Sequence, residues 1–125
     1  MYQRITWKMF DYGCKEIAKW VDKQSIKVDN VYGIPRGGLV VAVRLSHLLD
    51  LPLTRDIGDE TLIVDDIIDS GKTMQRIAIQ GINPTACLVW YEKSIFVPDK
   101  YVWKKKRFVF FPWETKKTAK IDYLR

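Results

Sequence analysis

Metal and disulfide chemistry have little to work with in this sequence. It holds one histidine, His47, and two cysteines, Cys14 and Cys87, far apart and with no CxxC spacing or companion ligands. A disulfide framework and a cysteine-rich zinc site are therefore excluded, and two buried free thiols in a reducing, cytoplasmic setting are expected. No apolar run approaches the roughly 18 residues of a membrane span, so no membrane association is expected. Met1 to Phe10 lacks the apolar centre of a signal peptide. There is no internal repeat and no low-complexity segment.

What is present is an ordinary globular composition, 47% hydrophobic and 29% charged over 125 residues, enough for one domain with one core. The formal net charge is +6. The basic residues are spread along the chain, apart from the run Lys104-Lys105-Lys106-Arg107 and a basic tail from Thr115 to Arg125. No nucleic-acid-binding motif accompanies them, so nucleic acid is not expected as the main partner. A small polyanion suits the same charge.

One stretch organises the rest. Thr61-Leu62-Ile63-Val64 is a β-branched apolar run of strand length, and Asp65 and Asp66 follow where that strand should end. Asp69-Ser70-Gly71 then reads as a turn before a helix with Met74, Ile77 and Ala78 on one face, stopping near Gly81. Free backbone N–H groups at such a turn suit a phosphate, and the carboxylates can accept hydroxyl hydrogen bonds or hold hydrated Mg²⁺. Gly71-Lys72-Thr73 ends like a Walker A loop. That motif needs a glycine where Asp66 stands, and two carboxylates would repel a triphosphate, so this reading is rejected.

Elsewhere the pattern alternates. Phe10, Cys14, Ile17, Ala18 and Val21 make a helical apolar stripe. Val28 to Ile34 reads as the first core strand, closing on Pro35-Arg36-Gly37-Gly38. Leu39 to Leu49 reads as a helix with Leu39, Val40, Val43 and Leu48 inward and His47 exposed. Leu51 to Thr54 reads as a return strand, Thr85 to Tyr91 as a buried strand, Phe96 to Tyr101 as a loop with an edge segment, and Arg107 to Phe111 as a last strand. Strands alternating with helices predict an α/β fold, a doubly wound, mostly parallel sheet with ligands at the strand C-termini. A single domain is expected, with a core at about 1–93, a small C-terminal hood at about 94–114 and the tail at 115–125.

The stretch 61–73 resembles the motif that binds 5-phosphoribosyl-1-pyrophosphate (PRPP) in type I phosphoribosyltransferases: a hydrophobic strand, two acidic residues and a D-[ST]-G-x-T loop. Arg36-Gly37-Gly38-Leu39 resembles the pyrophosphate loop of the bacterial xanthine-guanine enzymes. The likeness extends through most of the chain, to Tyr2–Trp7 and to Phe108-Val109-Phe110-Phe111-Pro112-Trp113-Glu114. It implies ribose and Mg²⁺ contacts from Asp65 and Asp66, and 5′-phosphate contacts from Asp69, Ser70, Gly71, Lys72 and Thr73. It implies pyrophosphate contacts from Arg36, Gly37 and Gly38. Asp69 matches the family's proton acceptor near N7 of a purine. Lys93 matches the lysine that meets its 6-oxo group, Phe108 the ring that stacks on it, and Val109 the residue whose backbone reads its edge. The family also implies a homo-oligomer, dimer or tetramer, and a cis or otherwise strained peptide between Pro35 and Arg36.

One departure matters. The family carries a long flexible loop between the return strand and the PRPP strand, and here only Arg55-Asp56-Ile57-Gly58-Asp59-Glu60 stands in its place. Two readings follow. The first is transfer of the phosphoribosyl group from PRPP to a 6-oxopurine base, with release of pyrophosphate. The second is a PRPP- or nucleotide-binding regulator that keeps the fold with little turnover, and the short loop favours it.

Overall fold

The computed structural model describes residues 2–79 and 81–123. Met1, and Leu124-Arg125 at the end of the basic tail, lie outside the described residues. Ten elements succeed one another: β1 (Gln3–Arg4), α1 (Trp7–Lys23), β2 (Asn30–Gly33), α2 (Gly37–Leu49), β3 (Thr61–Ile68), α3 (Lys72–Ala78), β4 (Thr85–Trp90), β5 (Lys100–Lys104), β6 (Val109–Phe110) and α4 (Lys116–Tyr123). Four strands form one parallel sheet in the order β2-β3-β4-β5. β1 and β6 pair, also in parallel, as a separate two-stranded sheet. Among the described residues no helix is long and apolar enough to cross a membrane.

The two sheet faces are covered differently. The stripe predicted for α1 is buried in full, and it packs with Val41, Ala42 and Leu45 of α2 over Leu62, Val64, Ala86 and Leu88. On the other face Met74, with Ile77 partly buried, covers Ile34, Ile63 and Cys87. Thr6 caps α1, its hydroxyl accepting the Met9 N–H at 3.1 Å, which satisfies one of the unpaired donors of a helix start.

Helix α2 turns a different face inward from the one its larger side chains suggest. Leu39 and Val43 are nearly half exposed, while Gly37, Gly38, Val41, Ala42 and Leu45 are buried. The helix is apolar almost all round, so hydrophobicity alone does not set its rotation. Close approach does. A Cβ on Gly33 of β2 would overlap the Gly38 carbonyl oxygen and would lie 2.7 Å from the Ala42 Cβ. Small residues on both elements let the backbones meet, and the bulky side chains are left facing outward.

Three further expectations are corrected. The acidic pair lies within β3, which runs on to Ile68 instead of ending at Val64. The return strand is a single bridge, Val31 with Leu53. The loop with an edge segment at Phe96 to Tyr101 runs into β5, an edge strand as expected but of the main sheet and not of the hood; the hood's sheet draws its second strand from β1, near the start of the chain. The tail after Thr115 forms α4, with Thr115 and Thr118 exchanging backbone-to-hydroxyl hydrogen bonds at 2.9 and 3.1 Å.

Both thiols are free and buried. Burial pushes Cys14 up to about 12 from an ordinary 9.0, and raises Cys87 well above it. A raised thiol pKa favours the folded state fully below the unfolded value, and that contribution is lost as pH rises from about 9 toward 12. At pH 8 the native thiols should resist alkylation, and both should label once denaturant unfolds the chain. Rapid native labelling, read by intact mass, would contradict this packing.

Candidate active site

Parallel strands end at one edge of a sheet, so the segments after β2, β3, β4 and β5 are brought together. These are Ile34-Pro35-Arg36, Asp69-Ser70-Gly71, Tyr91 to Ile95, and Lys105 onward. Register sets their depth. Gly33, the last residue of β2, pairs with Val64, and the Ile34 N–H donates to the Val64 carbonyl at 3.0 Å. Beyond that level β3 has lost its neighbour on this side, and Asp65 and Asp66 face the start of α2.

The glycines there are dictated by contact. A Cβ on Gly37 would overlap the Asp66 carboxylate, and one on Gly38 would lie 2.8 Å from the Val64 oxygen and 3.1 Å from Asp65 Oδ1. The carboxylates are 4% and 1% exposed. Each accepts the backbone N–H of the next residue: Asp66 N–H to Asp65 Oδ1, and Ile67 N–H to Asp66 Oδ1, both at 2.8 Å. The Pro35–Arg36 peptide is cis, as the family resemblance implied.

The next loop is held from the opposite side. Gly71 has φ of +86°, a left-handed conformation, and a Cβ there would sit 2.8 Å from the Phe96 nitrogen. Only glycine meets both demands without strain. The Ile95 N–H donates to the Ser70 carbonyl, and the Tyr91 N–H to the Ile68 carbonyl, both at 2.9 Å. Lys72 and Thr73 open α3.

Asp69 carries a partner that the sequence pattern did not single out. Its Oδ1 accepts from the Lys105 ammonium at 2.8 Å, and the two side chains are 17% and 6% exposed. The same ammonium lies 4.7 Å from the centre of the Tyr91 ring, a favourable cation–π distance. Lys105 sits inside a basic run that reads as solvated surface charge. What could have found it is position, since it directly follows a strand at the C-terminal edge where ligands gather. Lys93 is exposed in the turn after β4.

The hood residues divide. Val109 is 5% exposed and joins the main core. Phe108 is partly exposed, its ring 5.4 Å from Tyr2. The carbonyls of Phe108 and Phe110 accept from Gln3 and Ile5, and alternation turns the Val109 backbone groups away from β1. Trp113 anchors this unit, stacked on Phe111 at 4.9 Å and edge-on to Phe10 at 5.4 Å. A cavity of about 230 Å³ beside it is lined by Arg36, Val40, Trp113, Glu114, Thr115 and Thr118, so the start of α4 flanks the arginine loop.

The connection between Thr54 and β3 is pinned low. The Gly58 N–H donates to the Thr61 hydroxyl at 2.9 Å, Asn83 Nδ2 to the Gly58 carbonyl at 2.8 Å, and the Asp29 N–H to the Glu60 carbonyl at 2.9 Å. All three anchors lie at the N-terminal ends of the strands, opposite the cluster.

The glycine loop and the acidic pair meet at the C-terminal edge of a parallel sheet, and comparison with solved structures makes the class specific. A purine phosphoribosyltransferase from Pyrococcus horikoshii superposes with a TM-score of 0.81 at 30% identity, covering 91% of this chain and 95% of that one. The chain belongs to the type I phosphoribosyltransferase family. The xanthine-guanine-hypoxanthine phosphoribosyltransferase of Helicobacter pylori gives 0.81 at 17% identity over 98% of both chains. A Neisseria gonorrhoeae protein described as hypothetical, with bound ppGpp, gives 0.72 at 18% identity over 99% of this chain and 97% of its own. No family model matches the chain, and neither does any curated protein.

Gly37→Ala tests the contact at the centre of the site. Gly-to-Ala inside a helix ordinarily gains about 1 kcal/mol. Overpacking against a buried carboxylate costs roughly 1–3 kcal/mol, so net destabilisation is expected in chemical denaturation. A stability gain would show that Asp66 moves aside freely.

Proposed function

We propose that the protein transfers the 5-phosphoribosyl group of PRPP to a 6-oxopurine base and releases pyrophosphate. The observation that carries this is the direct packing of Gly37 and Gly38 on the Asp65 and Asp66 carboxylates. It supports a reading in which the candidate pyrophosphate loop and the candidate ribose pair adjoin at the C-terminal edge of the sheet, beside which C1 of PRPP would lie. In this reading Arg36, Gly37 and Gly38 hold the pyrophosphate, Asp65 and Asp66 the ribose hydroxyls, and Asp69 to Thr73 the 5′-phosphate. Phe108 stacks on the base and the Val109 backbone reads its edge.

Among the described residues no group of three or more acidic, histidine or cysteine side chains forms a dedicated metal cage. The oxygen-donor chemistry of Asp65 and Asp66 fits Mg²⁺, and these two carboxylates would hold it, directly or through water. When bound it would supply charge neutralisation to the leaving pyrophosphate. N9 of the base forms the new bond to C1 as the C1–O bond breaks, and the pyrophosphate leaves with that electron pair. The proton at N7 passes to Asp69. Catalysis then rests on orientation and on fixed charges around an oxocarbenium-like centre.

The connection at 55–60 bears on rate. Six residues reach roughly 20 Å at most, and the anchors at Gly58 and Glu60 hold the connection at the far end of the strands. Water exclusion by a lid strengthens electrostatic stabilisation. Its loss lowers kcat more than PRPP affinity.

A second reading, a nucleotide-binding regulator, is favoured by the ppGpp-bound neighbour, which spans nearly the whole chain. Pyrophosphate release measured with guanine, hypoxanthine, xanthine and adenine, beside a PRPP titration, separates the two. The transferase reading expects release with a 6-oxopurine, none with adenine, and turnover below the median enzyme rate of about 10 s⁻¹. Binding without release would establish the regulator.

The acidic pair gives a second check. Asp65→Asn with Asp66→Asn removes charge from hydrogen bonds worth roughly 1.5–3 kcal/mol each. PRPP affinity should fall at least tenfold in calorimetry with the fold retained. An unchanged affinity would remove their role at the ribose.

A further inference from the structure

The buried ion pair between Lys105 and Asp69 is not explained by stability. Such a pair loses hydration that its attraction does not reliably repay, and apolar replacements are often as stable. The exposed pairs Lys15–Asp11 and Lys19–Glu16 leave their lysines more than half exposed. Lys105 is instead enclosed and held in place. Its N–H donates to the Trp90 carbonyl at 2.8 Å. Gln3 clasps the residues on either side, donating to the Lys104 carbonyl at 3.1 Å and accepting from the Lys106 N–H at 2.7 Å. The hood's first strand thereby fixes an ammonium against a carboxylate at the ligand edge of the sheet.

On a purine, N7 and the substituent at position 6 lie side by side. In a 6-oxopurine that substituent is an acceptor, and in adenine it is an amino donor. A carboxylate beside an ammonium matches an N7–H next to a 6-oxo oxygen. It opposes a 6-amino group, because lysine has only donors.

Resting on the transferase reading above, we propose that Lys105, supplied from the end of β5, is the residue that selects the 6-oxo group in this chain. Lys93, exposed in the turn after β4, is not. Lys105 also positions Asp69: with Oδ1 occupied by the ammonium, Oδ2 is the oxygen presented to N7.

The test compares the wild type, Lys105→Met, Lys105→Gln and Lys93→Met. Its readouts are pyrophosphate release with hypoxanthine and with adenine, and calorimetric binding of inosine and adenosine 5′-monophosphates. Lys105→Met should lower kcat/KM for hypoxanthine at least tenfold and narrow the preference for the inosine nucleotide at least tenfold, with PRPP affinity within twofold of wild type. Lys93→Met should leave the preference unchanged. Lys105→Gln keeps a donor for Asp69 and adds an acceptor for an amino group, so it should narrow the preference too; it decides the matter if Lys105→Met does not fold by circular dichroism. A preference unchanged in Lys105→Gln, lost in Lys93→Met, or lowered equally for both bases would overturn the assignment. A wild type that binds neither nucleotide and releases no pyrophosphate would overturn the transferase reading and this assignment together. A wild type that prefers the 6-oxo ligands, with Lys105 variants unchanged, would overturn only the second.

Discussion

The contact on which this molecule depends is backbone against carboxylate. Gly37 and Gly38 open α2 flush with the buried side chains of Asp65 and Asp66, and there is no room for a Cβ at the first of them. That contact decides the rotation of α2, because a helix starting on those glycines must continue inward through Val41, Ala42 and Leu45. It also decides the length of β2, which stops at the level of Val64 so that the loop can fold over the acidic pair. Fold and site are therefore one constraint. The seam of Gly33, Gly38 and Ala42 extends it into the sheet.

Much of this is legible in the amino-acid sequence. The α1 stripe, the strands from Thr61 and Thr85, the parallel class and the two loops all follow from periodicity and punctuation, which report burial on one face of a regular element. The failures share a physical origin. Hydrophobicity points Leu39 and Val43 inward because it measures transfer from water, whereas the rotation of α2 is set by how closely two backbones can approach. The apolar run ends at Val64, and a strand read from that run stops there, short of the two carboxylates and of its true course to Ile68. Here each accepts a backbone N–H and shelters beneath a glycine loop.

The site divides in the same way. Asp65, Asp66 and the glycine loop are consecutive residues on adjoining elements, so local pattern and topology suffice to bring them together. The partner of Asp69 comes from a strand beyond it in the chain, and the brace that fixes that partner comes from Gln3 near the beginning. Such a meeting has no local signature. A run of four basic residues reads as solvated charge until the strand before it is known to end beside the loop of another.

The low anchoring of the 55–60 connection has a consequence for the order of events. With Gly58 and Glu60 fastened at the base of the strands, this connection would not have to swing away before the products of the proposed transfer depart. Departure is then limited by the contacts each product makes, not by a conformational gate. In the transferase reading, product would not accumulate behind a slow opening of this connection. On that reading the first turnover and later ones would share one barrier, and a pre-steady-state burst from slow release has no structural basis in this connection.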